Sequence, residues 1–317
     1  MDALSDLLRV VGLTGGVFMD AEFTEPWLVS GFVGPEACSA FMAPPEKVIA
    51  FHYVIEGGFG VELPDGTRIA VGSGEAILLP HNNLHLFGTD FALDAAAAGA
   101  LVQQPGALSI ARIQHGGGGA ATRMICGFMG GSANLAPVLS GLPDFLLIPL
   151  SELPSGQWIG QTFTHAAAML RRGVAGTQAS LSKVSELLFI EALRHHMEAM
   201  PDDQLGWLAA VRDPAIGRTL ALIHTQLDLP WTTGRLAKEA GMSRSAFADR
   251  FTALVGMPPM GYVINWRMQV AQQKLRDTNL AIIQVALATG YDSEAAFSRA
   301  FKREVGVPPA SWRKQAQ

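Results

Sequence analysis

"GMSRSAFADRF", Gly241–Phe251, and "GYDSEAAFSRAF", Gly290–Phe301, decide how the second half of this 317-residue chain is read. The two stretches say nearly the same thing twice. Upstream, "RLAKEAG" (Arg235–Gly241) parallels "QVALATG" (Gln284–Gly290), with Ala237 and Ala286 each four residues before the glycine. Downstream, "VGMPP" (Val255–Pro259) parallels "VGVPP" (Val305–Pro309). Each copy therefore runs apolar helix, Gly turn, Ser-initiated helix, Gly-Pro stop. Two copies are too few for a solenoid, which needs roughly three or more units to bury its faces. A paired supersecondary unit is the better reading.

Within each copy the residue types sort by face. Ser243 and Ser293 stand where a hydroxyl accepts a backbone N–H and starts a helix. Phe247, Phe251 and Leu254 fall at i, i+4 and i+7 and face inward, leaving Ser245, Ala248, Asp249 and Thr252 outward. In the second copy Phe297 and Phe301 face inward, while Ala295, Ser298, Arg299 and Lys302 face out. Gly241 and Gly290 occupy the turn before each Ser-capped helix, where a tight helix–turn–helix angle often needs glycine.

Charge separates the chain into halves. The whole carries 23 Lys+Arg and 28 Asp+Glu, net −5. Ala215–Gln317 holds 13 basic and 7 acidic residues, net +6, so residues 1–214 hold 10 and 21, net −11. A basic segment joined to an acidic one suggests that the basic part meets a polyanion. Small outward residues let a helix approach such a surface closely, and a major groove about 12 Å wide admits one helix.

The chain is long enough for about two domains. Its two cysteines, Cys38 and Cys126, make no disulfide framework. No apolar run reaches the roughly 18–20 residues of a membrane helix. "MDALSDLLRV" lacks a basic region followed by an apolar stretch. A cytoplasmic chain with reduced thiols, and no membrane partner, is expected.

The first half reads as β-structure. Short apolar runs at Val48–Ile55, Gly60–Pro64, Arg68–Gly72 and Ala76–Pro80 are separated by Gly, Pro and Asp. "PDGT" (Pro64–Thr67) has the chemistry of a hairpin turn. "HGGGG" (His115–Gly119) reads as a loop. From about Trp158 the period becomes helical. Leu181, Val184, Leu188 and Ala192 share one face of Ser180–Met200, which either packs within the chain or forms a dimer seam. Asp213 and Pro214 start a further helix as N-cap and first helical residue.

The segment Trp231–Arg313 resembles the DNA-binding domain of AraC/XylS-type transcription regulators. The resemblance is carried by "WTTGRLAKEAGMSRSAFADRF", "VGMPPMGYVINWRMQVAQQKL" and "VALATGYDSEAAFSRAFKREVGVPPASWRK". It implies two helix–turn–helix subdomains joined by a long helix, about Pro259–Arg276. It also implies that the helices from Arg244 and from Glu294 enter successive major-groove segments of double-stranded DNA. By position in that family, Ser245, Ala248 and Asp249 face bases in the first reader, and Ala295, Ala296, Ser298 and Arg299 in the second. Arg244, Thr252 and Lys302 complete the expected DNA-binding set. Asp249 is a departure, since a basic or amide residue is common there; a carboxylate repels phosphate but accepts from cytosine N4.

"GEAILLPHNNLH" (Gly74–His85) fits the cupin pattern G-x5-P-x-G-x2-H, except that Asn82 replaces the glycine. With "FHYVIEGG" (Phe51–Gly58), the region resembles the cupin-like sensor domain attached to many such regulators. "ICGFMGG" and "GWLAAVRDPAIGRTL" recur in one branch of that group. Catalytic cupins hold a metal with about three His and a Glu. Here the first ligand motif is reduced to His52 and Glu56, with His81 and His85 as further weak candidates, so neither metal nor cofactor is expected. A small-molecule effector pocket lined by Phe51, Tyr53, Leu79 and His85 is expected instead.

These readings give a two-domain α+β chain. Residues 1–150 form a cupin-like β-barrel or sandwich, 151–214 a helical connector with dimerisation as an alternative role, and 215–317 an all-α AraC-type domain. The expected function is a DNA-binding transcription regulator, not an enzyme, that senses a small molecule. RNA polymerase and a second copy of the chain are further candidate partners. The alternative is a cupin metalloenzyme or metal-binding protein with a helical interaction tail, which would need the complete ligand set.

Overall fold

A computed structural model describes residues 2–11, 13, 18–34, 38, 45–103, 111–172, 174–201 and 203–316. The chain divides into two compact units. One is Leu13–Ala199; the other combines Met1–Gly12 with Met200–Gln317.

The first unit is a two-sheet β-fold closed by helices. Its strands are β1 (Phe18–Thr24), β2 (Leu28–Gly31), β3 (Lys47–Glu56), β4 (Gly58–Glu62), β5 (Arg68–Gly72), β6 (Ala76–Leu79), β7 (His85–Gly88), β8 (Ala96–Ala97), β9 (Ala111–Gly116), β10 (Ala121–Gly131) and β11 (Leu146–Ile148). Six form a sheet in the order β11-β6-β3-β10-β1-β9, and five form a second in the order β5-β4-β7-β2-β8. The runs read from sequence as strands at 48–55, 60–64, 68–72 and 76–80 correspond to β3 to β6. The hairpin between β4 and β5 turns at Pro64–Thr67, where Gly66 takes φ +83°, a conformation that Asp-Gly sequences favour. His115 and Gly116 differ from expectation: they end β9, paired beside Phe23 and Thr24 of β1, and the loop begins after them.

Between the sheets lies a core of Phe23, Trp27, Val54, Phe59, Ile77, Leu79, Phe87 and Met124 with smaller residues. Phe23 and Trp27 stack at 4.1 Å between ring centroids, and Phe87 meets both edge-on. Two short helices, α2 (Ala98–Leu101) and α3 (Ala136–Leu139), lie in the connections, after the N-terminal α1 described below. α4 (Gly156–Arg171) and α5 (Thr177–Ala199) follow. α5 packs on α4 and β11, and its face of Leu181, Val184, Leu188 and Ala192 is buried within the chain. Intrachain packing, not an open dimer seam, accounts for that stripe.

The second unit is all helix: α1 (Ala3–Val11), α6 (Trp207–Arg212), α7 (Pro214–Thr225), α8 (Thr233–Glu239), α9 (Arg244–Val255), α10 (Pro259–Asp277), α11 (Ile282–Ala288), α12 (Glu294–Val305) and α13 (Pro309–Ala316). The duplicated sequence becomes duplicated structure. α8–α9 and α11–α12 are two helix–turn–helix pairs joined by the 19-residue α10. The compact unit also takes in what the sequence placed outside the 215–317 domain. α1 packs on α7 and α10, burying Ala3, Leu4 and Leu7. α6 contributes Trp207, whose indole N–H donates to the Tyr262 hydroxyl of α10 at 3.1 Å. Tyr262 in turn meets Nε2 of His224 at 2.8 Å. Burial drives the His224 pKa down to about 3, against an opposing pull from the Ala3 backbone, so the imidazole stays neutral and Nε2 accepts the tyrosine proton.

Candidate nucleic-acid interface

α9 and α12 are framed by the same local chemistry. Ser243 takes an extended backbone and its Oγ accepts the Ala246 N–H at 3.3 Å; Ser293 does the same for Ala296 at 3.2 Å. Gly256 and Gly306 end the two helices in left-handed conformations, φ +81° and +89°. Phe247 and Phe251 pin α9 to its core, and Phe297 and Phe301 pin α12. That anchoring fixes which residues point outward.

Of the ten residues expected to meet DNA, Arg244, Ser245, Asp249, Thr252, Ala295, Arg299 and Lys302 are exposed. Ala248, Ala296 and Ser298 are half-buried on the flanks of the same faces. Arg244, Asp249, Arg299 and Lys302 have no ion-pair partner among the described residues. Free cations on an exposed helix face are available to phosphate and to base edges.

Two supporting contacts were not visible in the sequence. Arg250 turns away from its neighbours on α9 to Asp213, donating from Nε at 2.8 Å and also from Nη2. Asp213 caps α7 with its other oxygen, accepting the Ala215 and Ile216 N–H groups at 2.9 Å each. Burial raises the Asp213 pKa, but the hydrogen bonds from Ile216, Arg250 and Ala215 and the Arg250 charge outweigh it and hold the carboxyl below its ordinary range. Arg267 of α10 donates to the carbonyls of Leu227 and Leu229 at 3.0 and 2.8 Å, and its guanidinium lies 5.7 Å from the Tyr291 ring centre. It ties the long helix to the loop before α8 and to the second turn. These partners lie 37 to 40 residues apart, beyond the reach of any local pattern.

In the β-unit the expected pocket residues separate by strand parity. Successive side chains of β3 point to opposite faces. Phe51 and Tyr53 face α4, where both meet Phe163 with ring centroids 5.8 and 5.4 Å apart. His52, Leu79 and His85 face the space between the sheets. Phe51, Tyr53, Leu79 and His85 therefore do not line one cavity. A cleft of about 550 Å³ lies instead on the α4 side, bordered by Tyr53, Leu150, Gln157, Gln161, Thr164 and His165. Of the expected pocket residues Tyr53 alone borders it, because the others lie on the wrong face or beneath Phe163.

The three weak metal candidates also part. His52 and His85 meet Nε2 to Nε2 at 3.1 Å. His81 is elsewhere, with Nε2 at 3.1 Å from the Leu142 carbonyl. The His85 Nδ1–H donates to the Asn83 carbonyl at 2.9 Å, which leaves its Nε2 as an acceptor for His52. His52 Nδ1 is then free to accept from the Cys126 thiol at 3.1 Å. Burial pushes His52 and His85 down and Cys126 up, so this chain of groups is held neutral. Among the described residues no group of three His, Cys, Asp or Glu side chains could hold a metal ion. Asn82, standing where the cupin pattern has glycine, adopts the left-handed φ of +52° that explains the glycine. Its amide bridges Val33 N and O at 3.1 and 2.8 Å.

A family model described as "Cupin" matches residues 2–198, and one described as "Helix-turn-helix domain" matches residues 236–315. The chain is 28% identical over 334 residues to the HTH-type transcriptional regulator AlkR of Acinetobacter baylyi, covering all of both chains. It is 32% identical over 188 residues to a putative AraC-like transcription regulator of Streptomyces lividans, covering 59% of this chain and 62% of that one. It is 25% identical over 321 residues to the RCS-specific HTH-type transcriptional activator RclR of Escherichia coli K12, covering 100% of this chain and 99% of the other. Among the described residues no helix is long and apolar enough to cross a membrane.

Proposed function

The chain belongs to the cupin family and joins that domain to an AraC-type helix–turn–helix domain, and from this premise we propose that it regulates transcription by binding specific DNA sequences. The observation that carries the reading is the matched pair of Ser-capped helices, each anchored by two buried phenylalanines and each presenting an exposed, small-residue face. A single outward helix is ordinary. Two, joined by a long helix and supplied with Arg244, Arg299 and Lys302, which have no ion-pair partner among the described residues, suit successive segments of a major groove. A regulator accounts for both halves of the chain; an enzyme leaves the paired readers without a task.

In this reading the β-unit senses a small molecule. The packed interior around Phe23, Trp27 and Phe87 favours the cleft beside Tyr53 as the effector site, with the Gln157 and Gln161 amides offering neutral hydrogen bonds. The work is done in the cytoplasm, with RNA polymerase and a second copy of the chain as candidate partners.

The test is a salt titration of the full-length chain on duplex fragments drawn from upstream regions. Log affinity should fall with log salt at a slope of about −0.9 per phosphate neutralised. A candidate effector added to the same titration should shift the affinity. No binding at low salt, or binding indifferent to salt, would contradict the reading.

A further inference from the structure

The two reader helices match position for position once Ser243 is laid on Ser293. Phe247 then meets Phe297, Phe251 meets Phe301, and Gly256 meets Gly306. On that register Asp249 occupies the place of Arg299. The same point on the same exposed face carries a carboxylate in one reader and a guanidinium in the other.

A carboxylate there is costly on approach to a polyanion unless something on the DNA pays it back with a proton donor. Asp249 is exposed and has no ion-pair partner among the described residues. The adjacent cation, Arg250, is held by Asp213. Arg244 lies five residues earlier, about 140° around the helix from Asp249 at 3.6 residues per turn. The Thr252 hydroxyl, one turn on, donates to the Ala248 carbonyl at 2.7 Å and so has no proton left to offer.

The major groove presents two kinds of exocyclic donor, cytosine N4 and adenine N6. Adenine N6 has an acceptor on either side, its own N7 and the O4 of the paired thymine, so a carboxylate's second oxygen always faces a lone pair; cytosine N4 has one on the paired side alone, guanine O6, and its C5 edge leaves room for that oxygen. We infer that Asp249 is a specificity-determining residue that selects cytosine under the first reader, the charge-reversed counterpart of a guanine-selecting Arg299 under the second. This rests on the proposed role of α9 and α12 as DNA readers.

The experiment is selection of bound duplexes from a random pool by the full-length chain, its Asp249→Asn and Asp249→Ala variants, followed by titration of single-base changes. Asp249 is exposed, and equal thermal unfolding of the three proteins checks that the fold is kept. The unmodified chain should prefer cytosine about tenfold at one position under α9, in the range of a single good base contact. Asp249→Asn should move that preference to adenine, since an amide pairs with N6 and N7. Asp249→Ala should erase it, and the base under Arg299 should stay the same in all three. An unchanged preference at the α9 position in both variants would overturn the cytosine assignment while leaving DNA binding intact. So would uniform weakening by Asp249→Ala across all sequences. If the unmodified chain enriches no sequence, the reading of α9 and α12 as DNA readers falls, and this inference with it.

Discussion

The two helix–turn–helix repeats share their turns but not their supports. Gly241 and Gly290 both turn with positive φ, +68° and +78°, and the serine caps differ by only 0.1 Å. Around this common frame the second repeat closes its own core. Phe297 and Phe301 pack with Met268, Leu275 and Val285, and Trp312 covers them. The Arg313 guanidinium then ties α13 back to the Leu280 carbonyl at 2.5 Å. The first repeat instead leans on elements outside itself: α6, α7 and the N-terminal α1, around the Trp207–Tyr262–His224 chain. Local sequence sets the shape of a turn. What stabilises the turn is set by whichever elements complete its core.

The largest difference should appear when α1 is loosened. Leu7 is buried against the helices that support the first repeat, so Leu7→Ala should cost about 2–5 kcal/mol. Hydrogen exchange should speed in α7 while α11 and α12 keep their protection. Equal acceleration in both repeats would show that they share one support after all.

A smaller contrast lies in the glycines. Both need a conformation that costs an L-residue about 1–2 kcal/mol. A Cβ on Gly241 would meet only open space, whereas one on Gly290 would overlap the Leu227 carbonyl and the Arg267 guanidinium. Gly290→Ala should therefore lower the unfolding temperature clearly more than Gly241→Ala. If the two variants melt alike, the packing between Arg267 and the second turn is looser than described.

The sequence disclosed what is local. Repeated words, caps, stop signals and the Asp213–Pro214 start all act over a few residues, and each produced the expected geometry. The runs at 48–80 gave strands for the same reason, since apolar runs between turn residues carry their own register. What stayed hidden is non-local. Nothing in the nine residues of α1 says which core will bury Leu4 and Leu7. The bond from Arg250 to Asp213 crosses 37 positions, and His52 reaches His85 and Cys126 across 33 and 74. The pocket set failed through parity. Tyr53 and His52 are adjacent, yet the pleat sends them to opposite faces, and which face is interior depends on pairing with β6 and β10.

The central claim is that one chain places two readers in successive major-groove segments. A base-resolved major-groove footprint of the full-length chain on a selected duplex tests it directly. Two protected segments, about 10 base pairs apart, are expected, with Arg299→Ala uncovering one and leaving the other protected. A single protected segment, or an Arg299→Ala variant that weakens both alike, would contradict it.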